Sequence, residues 1–122
     1  MPKRVMVVDD SATVRQEVAA VLAPAGFEVV EAVDGDDGLR RLKSSPDMAL
    51  VLCDVNMPRL NGLEMLRMAT EGRISTPFVM LTTEGQPELI AKAKSLGAKG
   101  WIVKPFKPDL LLLAVKRLTG SV

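Results

Sequence analysis

The stretch Ala49-Leu50-Val51-Leu52-Cys53-Asp54 decides how this chain is read. Its five apolar residues have the length and composition of a buried strand, and the run ends on a carboxylate. The same design recurs. Val5-Met6-Val7-Val8 runs into Asp9-Asp10, Phe78-Val79-Met80-Leu81 into Thr82-Thr83, and Trp101-Ile102-Val103 into Lys104-Pro105. In an open parallel sheet such strand ends share one edge, which is where these folds bind ligands. Three carboxylates, a hydroxyl and an ammonium are therefore expected to meet there.

Outward from these runs, the chain alternates strand and helix with no linker, repeat or low-complexity segment. Ser11 is suited to cap a first helix with Val14, Val18, Val21 and Leu22 on its apolar face, ended by Pro24 and Gly26. Phe27 to Ala32 reads as a second strand, and Glu28 and Glu31 mark it as a less buried edge. Asp34 caps a short helix with Asp36 and Asp37 in its first turn and Arg40, Arg41 and Lys43 near its end, which suits the macrodipole. Val55-Asn56-Met57-Pro58-Arg59-Leu60-Asn61-Gly62 has turn chemistry, and a helix from about Leu63 to Glu71 follows. Pro87 opens the next helix and Gly97 closes it; Pro108 opens the last, with Leu110, Leu113, Ala114 and Leu118 on one face. Five strands alternating with five helices predict a doubly wound α/β sandwich, all strands parallel and the crossovers right-handed. The order 2-1-3-4-5 places the polar second strand at an edge. Residues 1–122 read as one domain.

Composition narrows the function. The chain is 48% hydrophobic, enough for a real core in 122 residues. A net charge of +1 leaves no broad basic field, and three Phe with one Trp make a poor base-stacking platform, so no direct nucleic-acid binding is expected. The absence of His removes His-based metal sites, His general bases and any role as a phosphohistidine carrier. Cys53, the single cysteine, has no internal partner and fits a reducing compartment. The four apolar residues between Met1-Pro2-Lys3-Arg4 and Asp9 are too few for a signal peptide, and no run approaches a membrane span. A cytoplasmic protein without membrane insertion is expected.

Clustered carboxylates repel, so they either stay partly protonated or recruit a cation. Oxygen ligands without His or thiolate suit a hard ion, and a site with few ligands suits Mg²⁺, which keeps several waters. Carboxylate-bound Mg²⁺ invites a phosphoryl group, a lysine supplies positive charge for its oxygens, and a threonine supplies a donor. The implied chemistry is phosphoryl transfer, with Asp54 as a competent acceptor forming an aspartyl phosphate. Each residue also has a plainer reading: Asp9 and Asp10 as helix caps, Asp54 as a turn residue, Thr82 as an N-cap, Lys104 as a surface turn. Their coincidence on one edge is what the plain readings leave unexplained.

At this point the chain resembles a family, the receiver domain of two-component response regulators, in the CheY-like layout of stand-alone chemotaxis regulators. The matching pieces are Val7-Val8-Asp9-Asp10-Ser11, Asp54-Val55-Asn56-Met57-Pro58 with Gly62, Thr82-Thr83-Glu84, and Gly100-Trp101-Ile102-Val103-Lys104-Pro105-Phe106. The 2-1-3-4-5 strand order is itself a known property of that family, so order and resemblance are not independent. The resemblance implies that Asp54 accepts the phosphoryl group, that Asp10 holds Mg²⁺ directly and Asp9 through water, and that Asn56 adds its backbone carbonyl. Lys104 would contact the phosphoryl oxygens and pair with Asp54, Thr82 would move toward the phosphoryl group, and Pro105 would be a cis-proline. Asn56 and Glu84 would tune the phosphoryl lifetime in the chemotaxis manner. Trp101 stands where the family usually has Tyr or Phe; it would switch inward as Thr82 moves, although its bulk makes that state harder to reach. A packed core residue is its plainer reading. Thr83 replaces a commonly smaller residue, which would slow phosphodonor access.

The implied partners are a sensor histidine kinase or phosphotransfer protein and a downstream protein target. The target would dock on the surface of the fourth helix, fifth strand and fifth helix. Leu110-Leu111-Leu112-Leu113 is wider than one buried stripe needs, so either part of it faces that target or the helix is deeply buried. Such a protein is not a turnover enzyme; it catalyses only its own phosphorylation and dephosphorylation. The ending Leu118-Thr119-Gly120-Ser121-Val122 has no linker character, which favours a stand-alone receiver over one cut from a longer regulator with a DNA-binding or enzymatic output domain. An Mg²⁺-dependent phosphatase with an Asp nucleophile is the alternative from another class. It needs an acid/base Asp two residues after the nucleophile, where this chain has Asn56. A dinucleotide-binding module lacks its glycine-rich loop between Ser11 and Gly26.

Overall fold

The computed structural model describes residues 2–120; the expectations that touch Met1 and Ser121-Val122 lie outside them. Ten elements follow the expected alternation: β1 (Arg4–Val8), α1 (Ala12–Leu22), β2 (Glu28–Ala32), α2 (Gly35–Lys43), β3 (Leu50–Cys53), α3 (Gly62–Glu71), β4 (Phe78–Thr82), α4 (Pro87–Ser95), β5 (Gly100–Val103) and α5 (Pro108–Thr119). The strands form one parallel sheet in the order β2-β1-β3-β4-β5.

The period of two along each strand divides the core. Val5, Val7, Leu50, Leu52, Val79 and Leu81 pack with Val18 and Leu22 of α1 and Leu111 and Val115 of α5. Met6, Val8, Val51, Cys53, Phe78 and Met80 pack on the other side with Leu39 and Leu42 of α2, Met65 and Leu66 of α3 and Ala93 of α4. β1, β3 and β4 are thus apolar on both faces, which is why they read as unbroken apolar runs. β2 lies at an edge, and its outward Glu28 and Glu31 are paired with Arg4 at 3.0 Å and Arg15 at 2.9 Å.

Helix starts follow local chemistry. The Ser11 hydroxyl accepts from the Val14 N–H, and the Asp34 carboxylate from the Asp37 N–H at 2.8 Å. α3 begins with a reciprocal capping box: Asn61 accepts from the Glu64 N–H at 2.9 Å, and Glu64 accepts from the Asn61 N–H at 3.1 Å. Pro87 and Pro108 occupy first-turn positions of α4 and α5.

The expected face of α5 is corrected. Leu111 and Val115 are buried, with Leu112 and Leu118 packed beside them, whereas Leu110 is 58% and Leu113 49% exposed. Four consecutive leucines satisfy more than one helical stripe, and the angle at which α5 meets the sheet selects among them. The wide leucine run therefore leaves Leu110 and Leu113 facing outward.

Candidate functional site

Because the strands are parallel, Asp9, Asp54, Thr82 and Lys104 all reach the same edge. Sheet hydrogen bonding extends to the site residues themselves. The Asp9 N–H donates to the Ala32 carbonyl at 3.1 Å, the Asp54 N–H to Val8 at 3.0 Å and the Lys104 N–H to Thr82 at 2.8 Å. These candidate side chains thus stand on a rigid ladder rather than on free loops.

Asp9 is 1% exposed, and both its carboxylate oxygens are engaged. Oδ1 accepts from the Ser11 N–H at 2.9 Å and Oδ2 from Lys104 Nζ at 2.9 Å. Asp10, next to it, is exposed. Asp54 is buried, and its Oδ2 lies 3.5 Å from Lys104 Nζ. The expected Lys104–Asp54 pair is present, but the nearer partner of Lys104 is Asp9. Oxygens of Asp9, Asp10 and Asp54 lie within 4.8 Å of one another.

Burial pushes the Asp54 carboxyl above the ordinary value of 3.8. The Lys104 ammonium opposes this, the Asp9 charge reinforces it, and hydrogen bonds from Thr82 and the Asn56 N–H only partly offset it. The ionised form is therefore short of positive charge. A hard divalent cation among these oxygens would supply it, and Asp10, exposed beside two buried carboxylates, leaves room for the waters Mg²⁺ retains. Cys53 is not part of that donor set: burial, then the charges of Asp54 and Asp9, push its thiol up and keep it protonated.

Gly62 closes the loop over Asp54. Its N–H donates to the Val55 carbonyl at 2.9 Å, and a Cβ at this position would stand 2.0 Å from the Asp54 carbonyl oxygen, so no side chain fits. Asn56 and Glu84 are joined directly, Nδ2 to Oε1 at 2.6 Å. Hydrogen bonds from Gln86 and Asn56 hold the Glu84 carboxyl below its ordinary value. Trp101 is half-buried against the α2–α4 side of the core, and its Nε1 donates to the Glu84 carbonyl at 2.8 Å. The Glu84 N–H donates to the Thr82 hydroxyl at 3.2 Å. Glu84 thereby links Thr82, Asn56 and Trp101. The Lys104-Pro105 peptide is cis. Thr83 is exposed and lines a groove beside Lys104 together with Val14, Glu17, Pro105 and Phe106.

Arg15 carries no role in the sequence expectations, yet the structure brings it to the site. Its Nη1 donates to the Asp9 carbonyl at 2.6 Å and its Nε to Glu31 at 2.9 Å. The available signal was an arginine at helical spacing between Ser11 and Val18, on the inward side of α1. No helix among the described residues is long and apolar enough to cross a membrane.

A family model described as the response regulator receiver domain matches residues 5–116. The chain is 42% identical to the chemotaxis protein CheY of Treponema pallidum over 85% of its own length and 74% of that protein. It is 35% identical to the transcriptional regulatory protein DltR of Streptococcus agalactiae over 95% of its length, yet spans only 51% of DltR. The solved structure of chemotaxis response regulator CheY4 of Vibrio cholerae superposes with a TM-score of 0.88 at 38% identity, covering 97% of this chain and 99% of that one.

Proposed function

Because the chain belongs to the response regulator receiver family, we propose that it accepts a phosphoryl group on Asp54 from a phosphohistidine kinase or phosphotransfer protein and signals through a change of surface. The observation that carries this reading is the edge cluster: three carboxylates within 4.8 Å, one of them a buried Asp54, with Lys104 reaching two of them. The family is one of signalling proteins rather than turnover enzymes, and the only chemistry assigned to this chain is on itself.

In the transfer, an Asp54 carboxylate oxygen forms the O–P bond as the P–N bond to the donor histidine breaks. The imidazole leaves neutral after taking a proton from solvent. Asp9, Asp10, Asp54 and the Asn56 backbone carbonyl would hold Mg²⁺. Bound there, Mg²⁺ would offset repulsion among the carboxylates and neutralise charge on the transferring oxygens. Lys104 exchanges part of its pairing with Asp9 for the phosphoryl oxygens, and the Thr82 hydroxyl donates to them. Thr83 narrows the donor's approach along the groove it lines.

The change of surface begins at Glu84. When the Thr82 hydroxyl turns to the phosphoryl group, it gives up its bond to the Glu84 N–H. The same residue holds the Trp101 indole through its carbonyl and Asn56 through its side chain. Trp101 is thereby biased inward, and Asn56 and Glu84 bear on phosphoryl lifetime. The readout is the α4–β5–α5 face, where Val103, Leu110 and Leu113 are exposed apolar groups for a protein target. Likeness to the Treponema and Vibrio proteins supports a chemotaxis role. A receiver within a longer regulator is the second reading, favoured by the match to half of DltR.

The test is intact mass after incubation with acetyl phosphate, with and without Mg²⁺, for the natural chain and Asp54→Asn. One Mg²⁺-dependent phosphoryl adduct, lost in the variant, is expected. An adduct that persists in Asp54→Asn would move the acceptor elsewhere.

A further inference from the structure

Arg15 is a long cationic side chain only 13% exposed, and it ties α1 to β2 and to the loop that follows β1. It rises from α1, donates from Nε to Glu31 on the edge strand β2, and donates from Nη1 to the main-chain carbonyl of Asp9. That carbonyl belongs to the peptide joining Asp9 to Asp10. Residue Asp9 is then held at every polar atom. Its N–H is bonded to Ala32, its carbonyl to Arg15, and its carboxylate to the Ser11 N–H and Lys104. Asp10 has no comparable restraint of its own: it is exposed, and its side chain makes no hydrogen bond or ion pair among the described residues. The direction in which Asp10 leaves the backbone is therefore set by the peptide that Arg15 clamps.

We propose that Arg15 is a positioning residue of the cation site, acting through the Asp9–Asp10 peptide, with Glu31 fixing the guanidinium in turn. The inference rests on the reading of Asp9 and Asp10 as Mg²⁺ ligands. It makes a prediction opposite in sign to simple electrostatics. A positive charge beside a cation site repels Mg²⁺, so deleting Arg15 for its charge alone should tighten binding. Deleting it as a clamp loosens binding, because supporting partners of metal ligands typically govern affinity by about tenfold or more.

Mg²⁺ affinity is measured by calorimetry on the whole chain and on Arg15→Ala, Arg15→Lys and Glu31→Gln, with urea unfolding of each in the absence of metal. Binding by the natural chain tests the underlying reading, and its absence would overturn both. Given that binding, Arg15→Ala is expected to weaken it about tenfold. Arg15→Lys should restore the charge but not the affinity, since an ammonium cannot reach two acceptors in the same fork. Glu31→Gln should lie between, and it keeps the test decisive if Arg15→Ala does not fold. Unchanged or tighter Mg²⁺ binding in Arg15→Ala would reduce Arg15 to a neighbouring charge. A loss of stability with unchanged affinity would make it a structural brace and overturn the proposal.

Discussion

The chain has two groups of three aspartates, and they behave in opposite ways. Asp34, Asp36 and Asp37 fall within four residues at the start of α2. Asp9, Asp10 and Asp54 come together only through the sheet. The two buried members of the first group, Asp34 and Asp37, are satisfied by their surroundings, and Asp36 is exposed. Asp34 caps α2 and lies 3.6 Å from Arg59; Asp37 accepts from the Val33 N–H at 3.0 Å and from Arg40 and Arg41 at 3.1 and 3.0 Å. Burial pushes the Asp37 carboxyl up, but the Val33 N–H and the two guanidiniums outweigh it and hold the group below its ordinary value. Asp54 ends on the other side of that value, because burial and Asp9 outweigh Lys104. Carboxylates that the chain itself satisfies are structural; carboxylates left short of positive charge call for something from outside.

The contrast is broken most forcefully by exchanging the two central residues. Asp54→Asn is expected to remove phosphoryl acceptance completely by intact mass and to leave the metal-free protein at least as stable in urea. Asp37→Asn should keep the adduct. Retention of the adduct by Asp54→Asn, or its loss in Asp37→Asn, would reverse the assignment of the two groups.

Mg²⁺ sharpens the comparison next. At a hundredfold excess over its dissociation constant, a ligand that binds only the folded state adds about 2.7 kcal/mol of stability. That increment is expected for the natural chain and for Asp37→Ala, and should vanish in Asp10→Ala. Asp10→Ala should in turn be the more stable protein without metal, because one repelling charge is gone. Asp37→Ala is expected to cost about 1–2 kcal/mol, chiefly from the Val33 N–H left without its acceptor. Its arginine partners are 75% and 51% exposed, so those ion pairs contribute little.

Which group is which was legible only in part. The strand ends at Asp9, Asp54, Thr82 and Lys104 were readable because apolar runs that stop on polar residues are a local pattern, and topology then fixes where they meet. The caps at Ser11 and Asp34 were readable for the same reason. The Asn61–Glu64 capping box was equally local but went unread. Partner choice was not local. Lys104 prefers Asp9, 95 positions away, by 0.6 Å over Asp54, being 2.9 Å from one and 3.5 Å from the other. The clamp of Arg15 on the Asp9 carbonyl involves a main-chain atom that carries no sequence signature. On α5, four leucines in a row left the choice of buried face to the packing angle.

The smallest expected effect, a pH dependence, tests the contrast in a single curve. An acid whose folded pKa is depressed adds stability above its unfolded value of 3.8 and loses it as pH falls through the folded value; Asp37 is of this kind. An acid whose folded pKa is raised does the reverse. Between 3.8 and its raised value the folded state holds the extra proton, so stability falls as pH climbs; Asp54 is of this kind. Subtracting the natural chain's metal-free unfolding free energy from that of each variant isolates the two limbs. Asp54→Asn should gain on the natural chain as pH rises from about 4 toward neutrality, and the gain should shrink when Mg²⁺ is added. Asp37→Asn should lag behind at neutral pH and close the gap only as pH falls below 3.8. If the two difference curves bent in the same direction, both aspartate groups would be structural, and no charge deficit would be left at the sheet edge to draw a cation.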